Sequence, residues 1–265
     1  MNVKGKIIVV TGAGSGMGRE LTIQLVQKGA KVAMVDLNET TLKETADLVG
    51  IQHVSSHILN ISDQKLIEKL PEAIIERHGA VDALINNAGI IQPFVDVKDL
   101  TSDIIERIMM VNFYGTVHMT KAFLPFLLKR PQAHVANVSS MGGFIPFPGQ
   151  TIYGASKAAI KLFTEGLYAE LKQTNVGVTV IFPGAVNTNI MTNSGIENSG
   201  SADTSQESNA ALAADKAASI IISAIEKNKF RALVGKDAKI LDFLYRLNPR
   251  MAVNIITKQM AKYKQ

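Results

Sequence analysis

Apolar positions in this chain fall into short β-branched runs separated by stretches of helical period. The first run, Lys6-Ile7-Ile8-Val9-Val10, is continuous rather than alternating, as a strand covered on both faces requires. It stops at Thr11-Gly12-Ala13-Gly14-Ser15-Gly16-Met17-Gly18, beyond which Leu21, Leu25 and Val26 recur at helical spacing. Lys31-Val32-Ala33-Met34-Val35 repeats the motif and ends at Asp36. Ala83-Leu84-Ile85, Val135-Ala136-Asn137-Val138 and Val178-Thr179-Val180-Ile181 continue it, with helical stretches between them. Strands that alternate with helices predict an α/β fold, a doubly wound and mostly parallel sheet with helices on both faces. With 265 residues and 46% hydrophobic content the chain can bury a large core, and one domain over residues 1–265 is expected, its core spanning 5–235.

The last thirty residues change the picture. Residues 236–265 hold seven Lys or Arg and two Asp, a balance of +5 that equals the net charge of the whole chain. Ile240, Leu241, Phe243, Leu244 and Leu247 share a helical face, and Val253, Ile255, Ile256 and Met260 follow Pro249. A basic amphipathic end of this kind either lies on an anionic membrane or packs against its own domain or a sister subunit, and packing is the preferred expectation. Nucleic acid is not expected, because no base-stacking or groove-reading motif accompanies the charge. No apolar stretch approaches the roughly 20 residues that span a bilayer. Met1-Asn2-Val3-Lys4 leads into the first strand without a targeting signal, so a cytoplasmic location is expected. The absence of cysteine excludes disulfides and thiolate metal sites. His53, His57, His78, His118 and His134 are scattered, and His53 and His57 lie in or near a strand, where a four-residue spacing builds no metal pair; no metal is expected.

Three places carry candidate chemistry. The glycine turn between strand and helix lets the backbone approach a ligand and aims helix N–H groups at a pyrophosphate, although its spacing is T-G-x-x-x-G-x-G and Met17 stands where the third glycine of G-x-G-x-x-G would fall. Asp36, roughly 20 residues on, can accept hydrogen bonds from ribose hydroxyls and would repel a 2′-phosphate. Neither Ser15 nor Leu37 is replaced by a cation that would welcome that phosphate, so NAD is expected over NADP. The third place is Tyr153 and Lys157 in Tyr-Gly-Ala-Ser-Lys, with Ser140 upstream at the end of an apolar run. An ammonium about 4 Å from a phenol, at an effective dielectric near 20, favours the phenolate by about 4 kcal/mol before desolvation opposes it. On that reading the pKa of Tyr153 falls by a unit or more, and the residue can exchange a proton while Ser140 holds the substrate oxygen.

These residues resemble the short-chain dehydrogenase/reductase family over about residues 5–235, which implies a Rossmann-like fold. Thr11, Gly12, Gly16 and Gly18 match its cofactor loop, with Ser15 and Met17 between them, and Asp36 and Leu37 match its adenosine end. Asn60, followed by Ile61, stands where the family more often has Asp beside the adenine; its amide offers both donor and acceptor. Asn86-Asn87-Ala88-Gly89 matches the motif that steadies the sheet and lines the cofactor. Pro183, Gly184, Val186 and Thr188 match the nicotinamide turn. By the same resemblance Asn112, Ser140, Tyr153 and Lys157 are the catalytic set, Lys157 also holds the nicotinamide ribose, and Asn112 holds a water in the proton relay. Ser139 is chemically equivalent to Ser140, and only the family's spacing separates them. A homodimer or homotetramer through the helices that carry Asn112 and Tyr153 is also implied.

The expected reaction interconverts a secondary alcohol and a ketone. Ile91, Phe94, Met141, Phe144, Ile145, Phe147, Gln150, Ile190 and Met191 are the expected substrate pocket, which favours an apolar substrate, with the alternative that most of them only pack the loops into the core. Asn193 to Asn209, rich in Ser, Asn, Gly and Asp, reads as a mobile lid. Two other functions remain open: an NADPH-dependent reductase of a 3-oxoacyl thioester, against which Asp36 argues, and a catalytically silent dinucleotide sensor or scaffold, against which the complete catalytic set argues.

Overall fold

The continuous apolar runs become the strands of one parallel sheet. The computed structural model describes residues 1–196 and 211–260. Its strands are β1 (Ile7–Thr11), β2 (Lys31–Asp36), β3 (Val54–Ile58), β4 (Ala83–Asn86), β5 (Ala133–Val138), β6 (Val176–Pro183), β7 (Val186–Asn187), β8 (Leu212–Ala213) and β9 (Arg231–Val234). Seven of them form the sheet in the order β3-β2-β1-β4-β5-β6-β9, all parallel, while β7 and β8 pair separately. The helices are α1 (Gly16–Gln27), α2 (Glu39–Val49), α3 (Gln64–His78), α4 (Ser102–Met109), α5 (Thr116–Leu127), α6 (Thr151–Leu171), the single turn α7 (Ile190–Asn193), α8 (Ala214–Glu226), α9 (Lys236–Leu247) and α10 (Pro249–Met260).

Successive strand residues serve opposite faces, which is why the runs needed no polar alternation. Ile8, Val10, Val32 and Met34 join Leu21, Leu25, Leu42 and Ile221 in the core under α1, α2 and α8. Val9, Ala33 and Val35 join Ile67, Ile74, Phe123 and Leu167 in the core under α3, α5 and α6. Strand order reverses between β1 and β4, and a parallel sheet opens a crevice at the carboxyl ends of its strands there. Thr11, Asp36, Asn86 and Val138 all end strands on that edge, so the fold itself gathers the candidate residues.

A third, smaller core cluster explains the C-terminal end. Ile145, Ala252 and Ile256 are sealed together with Phe144, Phe147, Leu241, Leu244, Tyr245 and Met260 packed around them. The expected single apolar face of α9 is therefore split: Leu241 and Leu244 pack inward, whereas Ile240, Phe243 and Leu247 stay exposed. The five residues cover too wide an arc of the helix for one contact to bury them all.

Candidate active site

The crevice at the switch point encloses about 840 Å³. Of the residues singled out in the sequence, Gly12, Ser15, Gly16, Met17, Asp36, Leu37, Asn60, Ile61, Asn87, Ala88, Gly89, Thr188 and Ile190 line it. Gly18, Pro183, Gly184, Val186, Tyr153 and Lys157 do not. Gly18 lies beneath the wall, where an added Cβ would collide with the Gly12 carbonyl oxygen, and Val186 packs on the core. Gly12 has φ +68°, a left-handed conformation that favours glycine, and its missing Cβ leaves room for Ala88 and the Asn87 amide.

Hydrogen bonds tie the crevice walls together. Thr11 Oγ1 accepts from the backbone N–H groups of Asn87 and Ala88, both at 3.0 Å, and Asn87 Nδ2 donates to the Thr11 carbonyl at 3.0 Å. Asp36 accepts from Gly14 N–H at 2.9 Å and from Asn38 N–H at 3.1 Å, so the same carboxylate that lines the crevice braces the glycine turn. Capping of α2 falls to Asn38, which accepts from Thr41 N–H, and Asp36 is left to face the crevice. Asn60 Oδ1 is committed to Ser62, leaving its NH₂ as the donor it can offer. Asn193 donates to Ser15 Oγ at 2.8 Å and Ile91 N–H to Ser194 Oγ at 3.0 Å, so α7 and the turn after it bridge the glycine turn to the Ile91 segment. The rest of the expected lid, from residue 197 onward, lies outside the described residues.

Two features fit a dinucleotide. Among the described residues the buried Asn87 Oδ1 has no hydrogen-bond partner, and Ser15 places no side-chain cap on α1, whose first N–H groups open toward the crevice. Two cations that sequence reasoning passed over also stand near: Arg107 of α4 lines the crevice, and Arg19 of α1 donates to the Gly14 carbonyl at 2.6 and 2.9 Å while pairing with Glu44 at 2.7 Å. Neither occupies position 15 or 37, where a cation would welcome a 2′-phosphate.

Beside this crevice α6 brings its first two turns against the end of β5. Ser140 Oγ accepts from Gly142 N–H at 3.0 Å and hydrogen-bonds the Tyr153 hydroxyl. Ser139, by contrast, is buried and donates to the Lys157 carbonyl at 2.7 Å. That geometry separates two serines that the sequence left equivalent. Lys157 Nζ donates to the Val138 carbonyl at 3.0 Å and stands 5.9 Å from the Tyr153 ring centre. Asn112 is fully buried in a π-helical segment, Met110–Gly115, where it accepts from Ile90 N–H and donates to the Ile90 carbonyl, both at 2.9 Å, and to Ser156 Oγ at 3.0 Å. Only glycine at position 89 leaves Lys157 and Asn112 unobstructed, since a Cβ there would lie 3.0 Å from Nζ and 3.2 Å from Oδ1.

The expected lowering of the Tyr153 pKa is not what this geometry gives. Desolvation raises it, and the hydrogen bond to Ser140 only partly opposes the rise. The ammonium points to the Val138 carbonyl rather than to the phenol oxygen, so the close pair assumed from the i, i+4 spacing does not form. The same dry surroundings pull Lys157 down to about 8.

Sequence reasoning missed Gln92. Fully buried, it accepts at Oε1 from the N–H groups of Ile152 (2.8 Å) and Tyr153 (3.0 Å) and donates to the Gly149 carbonyl (3.0 Å). It thus satisfies the open N-terminus of α6 at the tyrosine itself. The expected substrate pocket loses several members to packing. Ile145 is sealed in the third cluster, Phe144 and Phe147 lean on α9 and α10, and the Gln150 amide donates to the Gln92 carbonyl at 2.7 Å. Ile190 lines the crevice, Ile91 and Met141 are partly exposed, and Phe94 and Met191 are exposed.

A family model described as short chain dehydrogenase matches residues 6–199. The dehydrogenase/reductase SDR family member 7B of Mus musculus is 34% identical over 96% of this chain and 78% of its own length. A short-chain dehydrogenase/reductase from Burkholderia phymatum, solved with NAD, superimposes with a TM-score of 0.84 at 26% identity, covering 95% of this chain and 96% of that one. A short-chain dehydrogenase from Burkholderia cenocepacia, solved with NADP, gives 0.81 at 25% identity over 97% and 99%.

Proposed function

The chain belongs to the short-chain dehydrogenase/reductase family, whose members are NAD(P)-dependent oxidoreductases of CH–OH groups, and from that premise we propose that it interconverts an apolar secondary alcohol and its ketone with NAD. The observation that carries this reading is the meeting of Ser140 and Tyr153 beside a crevice whose far end is closed by Asp36. Gly12, Gly16 and the start of α1 would hold the pyrophosphate, Asp36 the adenosine ribose, and Asn60 and Ile61 the adenine. Asn87, Ala88, Gly89 and the turn from Pro183 through Thr188 would border the nicotinamide. When bound, the cofactor supplies the hydride donor or acceptor.

The chain's own groups supply the proton. Ser140 holds the substrate oxygen, and Tyr153, kept protonated by its dry surroundings, gives that oxygen a proton when a ketone is reduced. Lys157 is charged below about pH 8 and serves as the cation for a ribose hydroxyl. Asn112, locked by Ile90 and Ser156, holds the next member of the relay in place. Ile91, Phe94, Met141, Ile190 and Met191 favour an apolar substrate. A cytoplasmic homodimer or homotetramer belongs to the same reading; the exposed Met110, Tyr114 and Leu162 lie on the segments that would form its contact.

Titration of the purified protein with NADH and NADPH, followed by a carbonyl panel from short ketones to acyl thioesters, tests the reading. Tight NADH binding with turnover of apolar ketones supports it. NADPH preference with thioester turnover would replace it with the second reductase reading, and cofactor binding without turnover would replace it with a sensor.

A further inference from the structure

Among the described residues nothing covers the outer face of α9. Ile240, Phe243 and Leu247, exposed by 58, 66 and 68%, stand at i, i+3 and i+7 and make one stripe. Lys236 and Lys239 lie beside it and are exposed as well, while Arg246, also exposed, is paired with Asp242 at 3.0 Å. From Lys227 to Met260 every exposed charged residue is Lys or Arg. The two acids in that span are occupied, Asp237 by the Ala185 N–H at 2.7 Å and Asp242 by Arg231 and Arg246. Single exposed apolar residues are ordinary, but a stripe of three with exposed lysines beside it and no exposed acid from Lys227 to Met260 marks a contact surface.

We propose that this face docks on an anionic lipid surface, with Ile240, Phe243 and Leu247 entering the headgroup region and the flanking cations meeting lipid anions. Charge selects this occupant. A second copy placed by a two-fold axis would press the same cations against themselves. A polyanion such as nucleic acid would match the cations and leave the apolar stripe in water. The inner face of α9 packs on the turn Met141–Gly143 that follows Ser140 and shares the small core around Ile145 with Phe144 and Phe147, so docking sets that loop about one helix diameter, roughly 10 Å, from the lipid. An apolar ketone dissolved in the membrane is then the substrate at hand, and this last step rests on the proposed reaction.

Co-sedimentation of the full chain with phosphatidylcholine vesicles, with and without phosphatidylglycerol, tests the docking without reference to turnover. Expected are binding to the anionic vesicles only, its loss at high salt, a roughly fivefold weakening for each of Lys236→Gln and Lys239→Gln, and at least a tenfold weakening in F243E/L247E. The melting temperature of F243E/L247E stays that of the parent, because both side chains are exposed. No sedimentation at low salt, or equal binding by F243E/L247E, overturns the proposal. It also fails if the double variant dissociates a dimer in sedimentation velocity while the parent ignores lipid. Turnover of a water-dispersed ketone by F243E/L247E is expected at the parental level, so a failure of docking leaves the oxidoreductase reading standing.

Discussion

Tyr153 and Lys157 sit in surroundings dry enough to move both groups toward neutrality, and this shapes the measurable chemistry. Tyr153→Phe removes only the transferable proton. Turnover should fall by roughly a hundredfold to ten-thousandfold while NADH affinity stays within about twofold, as read by steady-state kinetics and fluorescence titration. Joint loss of both would point to misfolding instead. Lys157, with a pKa of about 8 in the folded chain, is charged below that value and increasingly neutral above it. Cofactor affinity should therefore hold steady from pH 6 to 7 and weaken through pH 8 to 9, and a flat profile over that range would refute its role at the ribose. Gln92→Met removes the acceptor from two buried N–H groups at the start of α6, a loss on the order of 1–3 kcal/mol. As a positioning residue it should lower kcat more than it raises KM and shift the pH profile of turnover, whereas a purely structural role would lower only the melting temperature. The placing of Tyr153 and Lys157 on one helix was legible because their spacing is local, whereas Ser140 was separated from Ser139 only by the family's spacing until the fold gave the two serines different partners. Gln92 was not legible, since its partners lie 60 residues downstream and a lone Gln between Ile91 and Pro93 carries no signal of its own.

Elements were legible wherever one requirement decided them. Buried parallel strands need continuous β-branched runs, and β1, β2, β5 and β6 appear within a few residues of where those runs stand. The turn into α1 needed Gly18, and here a single change should be decisive. Gly18→Ala would drive a Cβ into the Gly12 carbonyl and the Asn87 amide, forcing α1 away from β1. NADH affinity should drop at least tenfold and the melting temperature should fall with it, by calorimetry. Gly166→Ala, at an exposed position of α6 with nothing near the new methyl, should be neutral or stabilising by up to about 1 kcal/mol. Elements set by tertiary contact were not legible. The π-helical turn that aims Asn112 at Ile90 and Ser156 has no local pattern of its own, since it interrupts what reads as one long helix from α4 to α5. The substrate loop misled for the same reason: apolarity at Phe144, Ile145 and Phe147 announces burial without saying against what, and α9 and α10 supply the answer some 100 residues later.

At the scale of the whole molecule, stability should be coupled to pH through the centre of the sheet. His134 lies on β5, hydrogen-bonds Thr179 of β6 at 2.8 Å and is almost fully buried. Desolvation lowers its pKa from 6.5 to about 3. Its strand is paired on both sides, by β4 and β6, so protonation requires the sheet to open rather than a loop to move. Between pH 6.5 and 3 the unfolded chain binds a proton here that the folded chain refuses. The contribution is therefore complete above about pH 6.5 and is lost as pH falls, by about 1.4 kcal/mol per unit. His57 and His78, joined through Ser55 at the sheet edge and also lowered by burial, act with the same sign. Cooling of the melting temperature between pH 7 and pH 5 should correspond to about 2 kcal/mol from His134, roughly 4–8 °C for a chain of this size. His134→Gln keeps a polar group near Thr179 without the titration, so its melting temperature should be lower at pH 7 yet fall less steeply below pH 6.5. If parent and variant lose stability with the same slope, the proton is taken up elsewhere, and the edge pair His57 and His78 becomes the place to substitute next.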